Sequence, residues 1–234
     1  MSQVVIIPAR GGSKRIPRKN VKEFCGKPMI AWSIEAAKAS GCFDKIIVST
    51  DDREIADVAE RWGAEVPFLR PNGLADDYTG TLPVIRHAVQ WLSSHDVEVD
   101  YACCVYATAP FVTSEDLLRG WELIQKSDAS FAFSVTSYAF PIQRAIRITE
   151  KGRVAMFNPE HFQTRSQDLE EAWHDAGQFY WGTADAWLEK KLLFGEDSLP
   201  VKLPRHRVQD IDTPEDWVHA EWLFKAMRAE TESQ

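Results

Sequence analysis

Five positive side chains crowd into ten residues near the start of this chain. Arg10, Lys14, Arg15, Arg18 and Lys19 lie in Val4–Asn20, VVIIPARGGSKRIPRKN, with no acid among them. Val4–Ile7 is a short apolar, β-branched run of the kind that forms a buried strand, so the charges are delivered at a strand end. Cations gathered there repel one another unless an anion sits between them. Gly11 and Gly12 let the backbone bend and bring N–H groups close to a ligand. A polyphosphate meets both needs. The spacing fits neither a Walker P-loop nor a dinucleotide fingerprint. The bland counterpart is a basic, solvated surface loop.

A second constellation stands far along the chain. Val208–Asp212, VQDID, reads as a strand, and on a strand residues i and i+2 share a face. Asp210 and Asp212 are thereby side by side with Ile211 turned inward. Carboxylates so held call for a hard cation, and Mg²⁺ would also bridge phosphate oxygens. The alternative is structural: Asp212 opens a turn and Asp210 pairs with Arg205 or Arg207. His174-Asp175 is a further candidate, as an acid/base pair, and Trp181 is expected on a strand near the site. Ser13 has no His–Asp arrangement around it, which argues against a serine nucleophile.

The whole chain has 234 residues and a net charge of −8. Its first 27 residues hold seven Lys/Arg against one acid, Glu23, a local charge of +6, so the remainder carries −14. A compact basic patch on an acidic body suits a small polyanion better than a nucleic-acid face, and aromatic residues do not interleave with the cations. The four cysteines, Cys25, Cys42, Cys103 and Cys104, have neither zinc nor disulfide-framework spacing. No apolar run approaches the length of a membrane span, and no secretory leader is evident. The expectation is a cytoplasmic protein of one domain, residues 1–234.

The elements that must hold these residues alternate strand and helix, which predicts an α/β fold with a mostly parallel sheet flanked by helices. Pro28 is expected at the first position of a helix over Met29–Ser40, stopped by Gly41. Strands are expected at Lys45–Thr50, Glu65–Leu69, Tyr101–Tyr106, Ser130–Ser134 and Gln178–Thr183. Asp51 or Asp52 caps a helix to Trp62, and further helices are expected over Leu82–Leu92, from Thr113 to Lys126, and over Ala184–Leu193. Thr213-Pro214-Glu215-Asp216 carries every sign of a helix start, running to about Ala229. Between residues 139 and 179 the rhythm breaks. A hairpin of Ala145–Ile148 and Val154–Phe157 around Lys151-Gly152 is expected in this excursion, which would cover the site or meet a partner subunit.

I-P-A-R-G-G-S-K-x-I-P-x-K-N at Ile7–Asn20, taken with D-I-D at Asp210–Asp212, resembles the cytidylyltransferases that activate nonulosonic acids. The likeness runs from residue 4 to about residue 225. It implies a Rossmann-like nucleotidyltransferase fold, a homodimer whose excursion reaches into the other subunit, and transfer of CMP from CTP to a nine-carbon keto-sugar acid with release of pyrophosphate. It further implies that Arg10, Lys14 and Lys19 hold the triphosphate with Gly11, Gly12 and Ser13, and that Asn20 lies near the ribose. Arg70, Thr79 and Thr81 would complete the cytidine pocket, and Asp210 and Asp212 would carry Mg²⁺. Arg10, Lys19 and the two aspartates would be the catalytic set.

The sugar half departs from the sialate synthetases of that family. Tyr106-Ala107-Thr108-Ala109-Pro110 stands where they have a glutamine and a Pro-Thr-Ser-Pro-like turn, and His174-Asp175-Ala176-Gly177 where they have Arg-Pro-Asn-Gly. The pattern is similar to the family's pseudaminate branch. Tyr106, Thr108, Gln143, Arg144, Arg165, Asp175, Gln178 and Tyr180 are then the expected sugar contacts, with Arg144 or Arg165 meeting the sugar carboxylate. Sialate, legionaminate and Kdo remain alternative sugars, and a CTP-binding regulator without turnover is the alternative of another class.

Overall fold

The structure is a computed structural model and describes residues 1–232. Gln3–Pro8 forms β1 with Val4, Val5, Ile6 and Ile7 wholly buried. Glu23–Phe24 (β2) and Lys27–Pro28 (β3) make a two-rung hairpin, turned by Cys25 and Gly26. Pro28 is the N-cap, one place before the expected first helical position, of α1, Met29–Ser40, which ends at Gly41 in the left-handed region. Next come β4, Lys45–Ser49, and α2, Arg53–Arg61, whose N-cap Asp52 accepts the Ile55 amide at 3.1 Å. Then follow α3, Thr81–Ser93, and β5, Tyr101–Val105.

The second half continues with α4, Ser114–Gln125, and β6, Phe131–Ser137. The excursion holds a hairpin of β7, Ile146–Ile148, and β8, Val154–Met156. The chain returns through β9, Trp173–Thr183, into α5, Ala184–Leu188, then β10, Ser198–Lys202, and finally α6, Pro214–Glu232.

Among the described residues the main sheet has six strands in the order β10-β6-β9-β5-β1-β4. Neighbours are parallel except around β9, which runs against both β5 and β6. One core cluster unites α1, α2 and α4 with one face of the sheet, and another packs α3 and α5 on the opposite face. A third, built from Ile16, Phe24, Trp32, Phe111, Ile211 and Trp217, ties the basic loop and α6 to α1.

Several elements differ from expectation. Val208–Asp212 is extended but pairs with no strand; the edge strand is Ser198–Lys202, whose Pro200 is tolerated at an edge. Glu65–Leu69 makes only two isolated bridges, to Ile47 and Thr50, because Pro67 interrupts it. Helix α5 stops at Leu188, five residues early. β9 begins five residues before the expected strand and bulges opposite β6, where Phe133 faces Tyr180 but Val135 already faces Asp175. Gly177, at φ +62°, permits that bulge.

Candidate functional site

The C-terminal end of β1 opens into a hollow of about 290 Å³. Arg10, Ser13, Lys14, Arg15, Lys19 and Asp212 make its charged end. Asn20, Arg70, Thr79, Thr81, Tyr106 and Thr108 line the remainder. A second hollow of about 510 Å³ shares Tyr106 and Thr108 and adds Asp175, Gly177, Tyr180 and Asp210. Residues separated by some two hundred positions therefore meet around two neighbouring cavities that share lining residues.

The loop's charges are already matched by acids. Arg10 donates to Asp77 at 2.6 Å and to the Asp76 carbonyl at 2.9 Å, and Lys14 pairs with the same Asp77. Arg15 meets Asp212 at 2.7 Å, while Lys19 donates to the Ile211 carbonyl at 2.7 Å and to Asp212 at 3.3 Å. Arg18, itself at φ +56°, turns away and binds Asp52 at 2.6 and 2.9 Å, with Glu54 as a further partner. Its hydrogen bonds, with the charge it carries, hold the Asp52 carboxyl down to about 2 against the opposing effect of burial. Arg18 thus braces α2 and does not face the hollow.

Gly11 has a steric reason and not the expected one. A Cβ there would stand 2.7 Å from the Asp52 carboxylate. Its amide donates to Asp51 at 3.0 Å, so it is not free for a phosphate. At Gly12 a Cβ would meet nothing within 4 Å.

At the less charged end, Asn20 is buried and donates to the Arg10 carbonyl at 2.9 Å. Arg70 is also buried, bonded to the Ser49 carbonyl and at 3.1 Å to its hydroxyl. Burial lowers its guanidinium to about 10. The Thr79 amide donates to Asp76 at 2.7 Å, and Thr81 Oγ1 lies 3.0 Å from the Tyr106 hydroxyl.

The second hollow is organised by the bulge in β9. Asp175 accepts Tyr180 O–H at 2.6 Å and the Gly177 amide at 2.8 Å. Burial pushes the phenols of Tyr106 and Tyr180 up, so both stay neutral. His174 does not form the expected acid/base pair: its Nδ1 lies 2.8 Å from the Asp175 carbonyl, not from the carboxylate. Gln178, expected at the sugar, lines neither hollow; it is buried and donates to the Arg207 carbonyl at 2.5 Å. Trp181 lies in the core with its N–H on the Leu117 carbonyl at 3.0 Å, because its register on β9 points it away from the cavities.

Asp210 and Asp212 are not on a ladder, yet they flank buried Ile211 as alternation requires. Asp212 faces the first hollow and Asp210 the second. Burial, then the charge of Asp212, raises the Asp210 carboxyl. Among the described residues no three acidic, His or Cys side chains form a metal cluster. Two carboxylates beside a phosphate site nevertheless fit Mg²⁺, which typically takes one or two carboxylates and completes its shell with phosphate and water. Neither Arg205 nor Arg207 neutralises Asp210: Arg207 is committed to buried Asp116 at 2.5 and 3.1 Å.

Besides Gln178, three further expected sugar contacts lie outside both hollows of their own chain. Gln143 donates to the Glu170 carbonyl at 2.9 Å, Arg144 approaches Ser166 at 3.4 Å, and Arg165 pairs with Asp168 at 2.7 and 3.0 Å. They ride on the excursion, which leaves the sheet and packs on itself. Sequence reasoning missed Asp77, Arg15 as a partner of Asp212, and the Asp116–Arg207 brace. The only signal for Asp77 was its place in the acidic pair just before Thr79.

Comparison with known proteins adds four findings. The model of the cytidylyltransferase family matches residues 4–185. The chain is 46% identical to the pseudaminic acid cytidylyltransferase of Campylobacter jejuni, over 96% of this chain and 97% of that protein. It is 34% identical to the CMP-N,N'-diacetyllegionaminic acid synthase of Legionella pneumophila, over 96% and 97% of the two chains. Among solved structures, a CMP-2-keto-3-deoxy-manno-octonic acid synthetase complexed with CTP has the same fold. It superposes with a TM-score of 0.72 at 16% identity, covering 97% of this chain and 100% of that one. The sheet and its helices are those of the Rossmann-like nucleotidyltransferases.

Proposed function

The chain belongs to the cytidylyltransferase family, and from that premise we propose that it transfers CMP from CTP to the anomeric hydroxyl of pseudaminic acid, releasing pyrophosphate. The observation that carries the reading is the pair of neighbouring hollows, one cationic and one lined by Asp175 and Tyr180, which share Tyr106 and Thr108 as lining. A triphosphate suits the first and a polar sugar the second, which brings the anomeric oxygen to the α-phosphorus.

In this reading Arg10, Lys14 and Lys19 bind the triphosphate and, as it departs, neutralise the charge on pyrophosphate. Ser13 lies among them, Asn20 lies towards the ribose, and Arg70, Thr79 and Thr81 enclose the base. Asp210 and Asp212 would hold Mg²⁺, which when bound would neutralise phosphate charge and orient the reacting groups. Catalysis comes from positioning and charge stabilisation, with the anomeric oxygen attacking in line with the departing pyrophosphate.

The sugar's carboxylate needs a cation, and among the described residues no Lys or Arg lines the second hollow. Arg144 and Arg165 of a second copy would supply it, with the protein acting as a homodimer. In support, the excursion exposes Phe140, Ile148, Val154 and Phe162, each more than 60% accessible, a patch of the kind that marks an interface. We place the reaction in the cytoplasm, a reading supported by four unpaired cysteines. Among the described residues no helix is long and apolar enough to cross a membrane.

The test is pyrophosphate release at fixed CTP and Mg²⁺ across pseudaminate, legionaminate, sialate and Kdo. Pseudaminate should give the highest kcat/KM. Preference for another of these sugars would reassign the substrate, and indifference to all would overturn the activity. Sedimentation of the wild type against Phe140→Asp tests the dimer; two monomeric proteins of equal activity would refute it.

A further inference from the structure

We propose that Gln178 is a positioning residue for the second hollow: from outside the cavity it ties three parts of the lining together, and so holds Asp210 in place relative to Asp175 and Tyr180. The proposal rests on reading the second hollow as the sugar site. Gln178 was expected to touch the sugar itself. Its place behind the cavity gives it a different task.

The bulge in β9 turns Gln178 to this use. Phe133 pairs with Tyr180 and Val135 with Asp175, so residues 176–179 stand opposite the single residue Ser134. A bulge re-aims side chains that a regular ladder would direct elsewhere. The buried Ser134 hydroxyl receives the Gln178 amide at 3.3 Å and the Phe179 amide at 3.2 Å, which fixes the backbone of Gln178 in the sheet.

From that fixed point Gln178 reaches three stretches of the lining. Its chain neighbour Gly177 lines the second hollow beside Asp175. Its carbonyl accepts, at 2.9 Å, the amide of Tyr106, a residue that lines both hollows. Its Nε2 donates to the Arg207 carbonyl at 2.5 Å, and the next three residues, Val208, Gln209 and Asp210, all line the second hollow. Gln178 is 3% exposed, so water does not compete for these bonds.

Asp210 depends on this tie. Among the described residues its hydrogen bond is at its carbonyl, from the Gln209 side chain at 3.0 Å, and none reaches its carboxylate. The backbone on either side therefore places it. Downstream, Ile211 is buried with its carbonyl on Lys19, and the Asp212 amide is held by Asp216. Upstream, Arg207 is held twice, by its guanidinium on Asp116 and by its carbonyl on Gln178. The first tie acts through a long side chain; the second grips the backbone itself. Without the Gln178 donor the upstream end is loosened and Asp210 shifts, while the downstream ties keep Asp212 at the first hollow. A misplacement of about 1 Å can cost roughly a hundredfold in turnover.

Two variants make the test. Gln178→Met keeps the length of the side chain and removes the donor, leaving the Tyr106 amide bonded. Asp116→Leu/Arg207→Met loosens the same segment at its other upstream tie and alters no residue that lines either hollow. In both, kcat/KM for pseudaminate should fall by roughly tenfold or more, while calorimetric affinity for CTP stays within about twofold of wild type. Calorimetric affinity for pseudaminate, with CDP filling the first hollow, should weaken in parallel. Wild-type sugar kinetics in folded Gln178→Met would overturn the proposal. So would a loss confined to Gln178→Met with the pair at wild-type level, which would mark a direct contact with the sugar, and so would an equal loss of affinity for CTP and sugar. If Gln178→Met does not fold, the pair decides by the same split. A wild type that turns over none of the sugars would overturn the proposed function and this inference with it.

Discussion

Replacing Asp116 by alanine should expose how the acidic segment is held without a strand. Asp116 accepts two hydrogen bonds from Arg207 at 2.5 and 3.1 Å, one from Arg119 at 2.6 Å and one from Thr113 Oγ1 at 2.9 Å. Its side chain is 2% exposed and that of Arg207 16%, so the variant strands a guanidinium with little access to water. Breaking a buried pair from one side costs about 3–5 kcal/mol, and the partial exposure of Arg207 puts this case near 3 kcal/mol. At about 2–4 °C per kcal/mol for a chain of this size, Tm should fall by roughly 6–12 °C. Burial works to raise the Asp116 carboxyl, but the hydrogen bonds and charge of Arg207, with Thr113 and Arg119, hold it below its ordinary value. A depressed carboxyl stabilises above the unfolded pKa of about 3.9 and loses that contribution as pH falls through the folded value. The gap between wild type and variant should therefore narrow below about pH 4. The double variant Asp116→Leu/Arg207→Met should recover most of the stability. Because the Arg207 carbonyl is held by Gln178 three residues before Asp210, turnover by folded Asp116→Ala should also drop. Calorimetry and guanidinium titration at pH 7 and pH 4 make the check. A loss under about 1 kcal/mol, or a double variant as unstable as the single one, would refute the reasoning.

Other substitutions probe other contacts. Asp77→Asn removes the acid that occupies Arg10 and Lys14, so the KM for CTP should fall by roughly threefold; a rise would mean that Asp77 itself serves the nucleotide. Asp212→Asn should lower kcat by roughly a hundredfold or more with little change in Tm, since its ion pairs are partly exposed. Full activity in a metal titration would remove Asp212 from the chemistry. Gly120→Ala places a Cβ 2.7 Å from Trp181 and 2.9 Å from Phe179, rigid rings in the core, and should cost about 1–3 kcal/mol in a denaturant titration. A neutral result would mean that α4 can shift off the sheet.

What the sequence made legible was chemistry gathered within a few residues. The buried run before Ala9, the cap at Thr113, the cap at Thr213 with first-turn acids, and the hairpin around Lys151-Gly152 are all local signals, and all four appear. The edge strand at Ser198–Lys202 was missed because a proline in its middle speaks against a strand in every place except an edge. Val208–Asp212 has the alternation of a strand because it buries Ile211 between exposed Asp210 and half-buried Asp212, a pattern that a loop pinned by side chains reproduces equally well. The bulge of β9 depends on Gly177 and on a serine hydroxyl, Ser134, that receives the amides of Gln178 and Phe179 at 3.3 and 3.2 Å. That partner lies on another strand, out of reach of any local pattern.

The same limit applies to charge and changes what the basic loop means. Its cations imply an anion, and the sequence leaves open whether ligand or protein supplies it. In the structure the protein supplies it first: Asp77 holds Arg10 and Lys14, and Asp212 holds Arg15 and Lys19. The two clamps differ in consequence. Asp77 belongs to an exposed turn that can yield to a triphosphate, and its release leaves two cations free for phosphate oxygens. Asp212 is fixed by the Asp216 carboxylate on its amide at 3.1 Å and by Ile211 in the core, so it stays when the nucleotide arrives. A carboxylate that remains beside incoming phosphate is tolerable only with added positive charge between them. Nucleotide affinity should therefore depend on Mg²⁺ much more steeply in the wild type than in Asp212→Asn, whereas Asp77→Asn should leave that dependence unchanged. Titrating CTP at several Mg²⁺ concentrations separates the two acids, and parallel slopes for wild type and Asp212→Asn would show that Asp212 is as displaceable as Asp77.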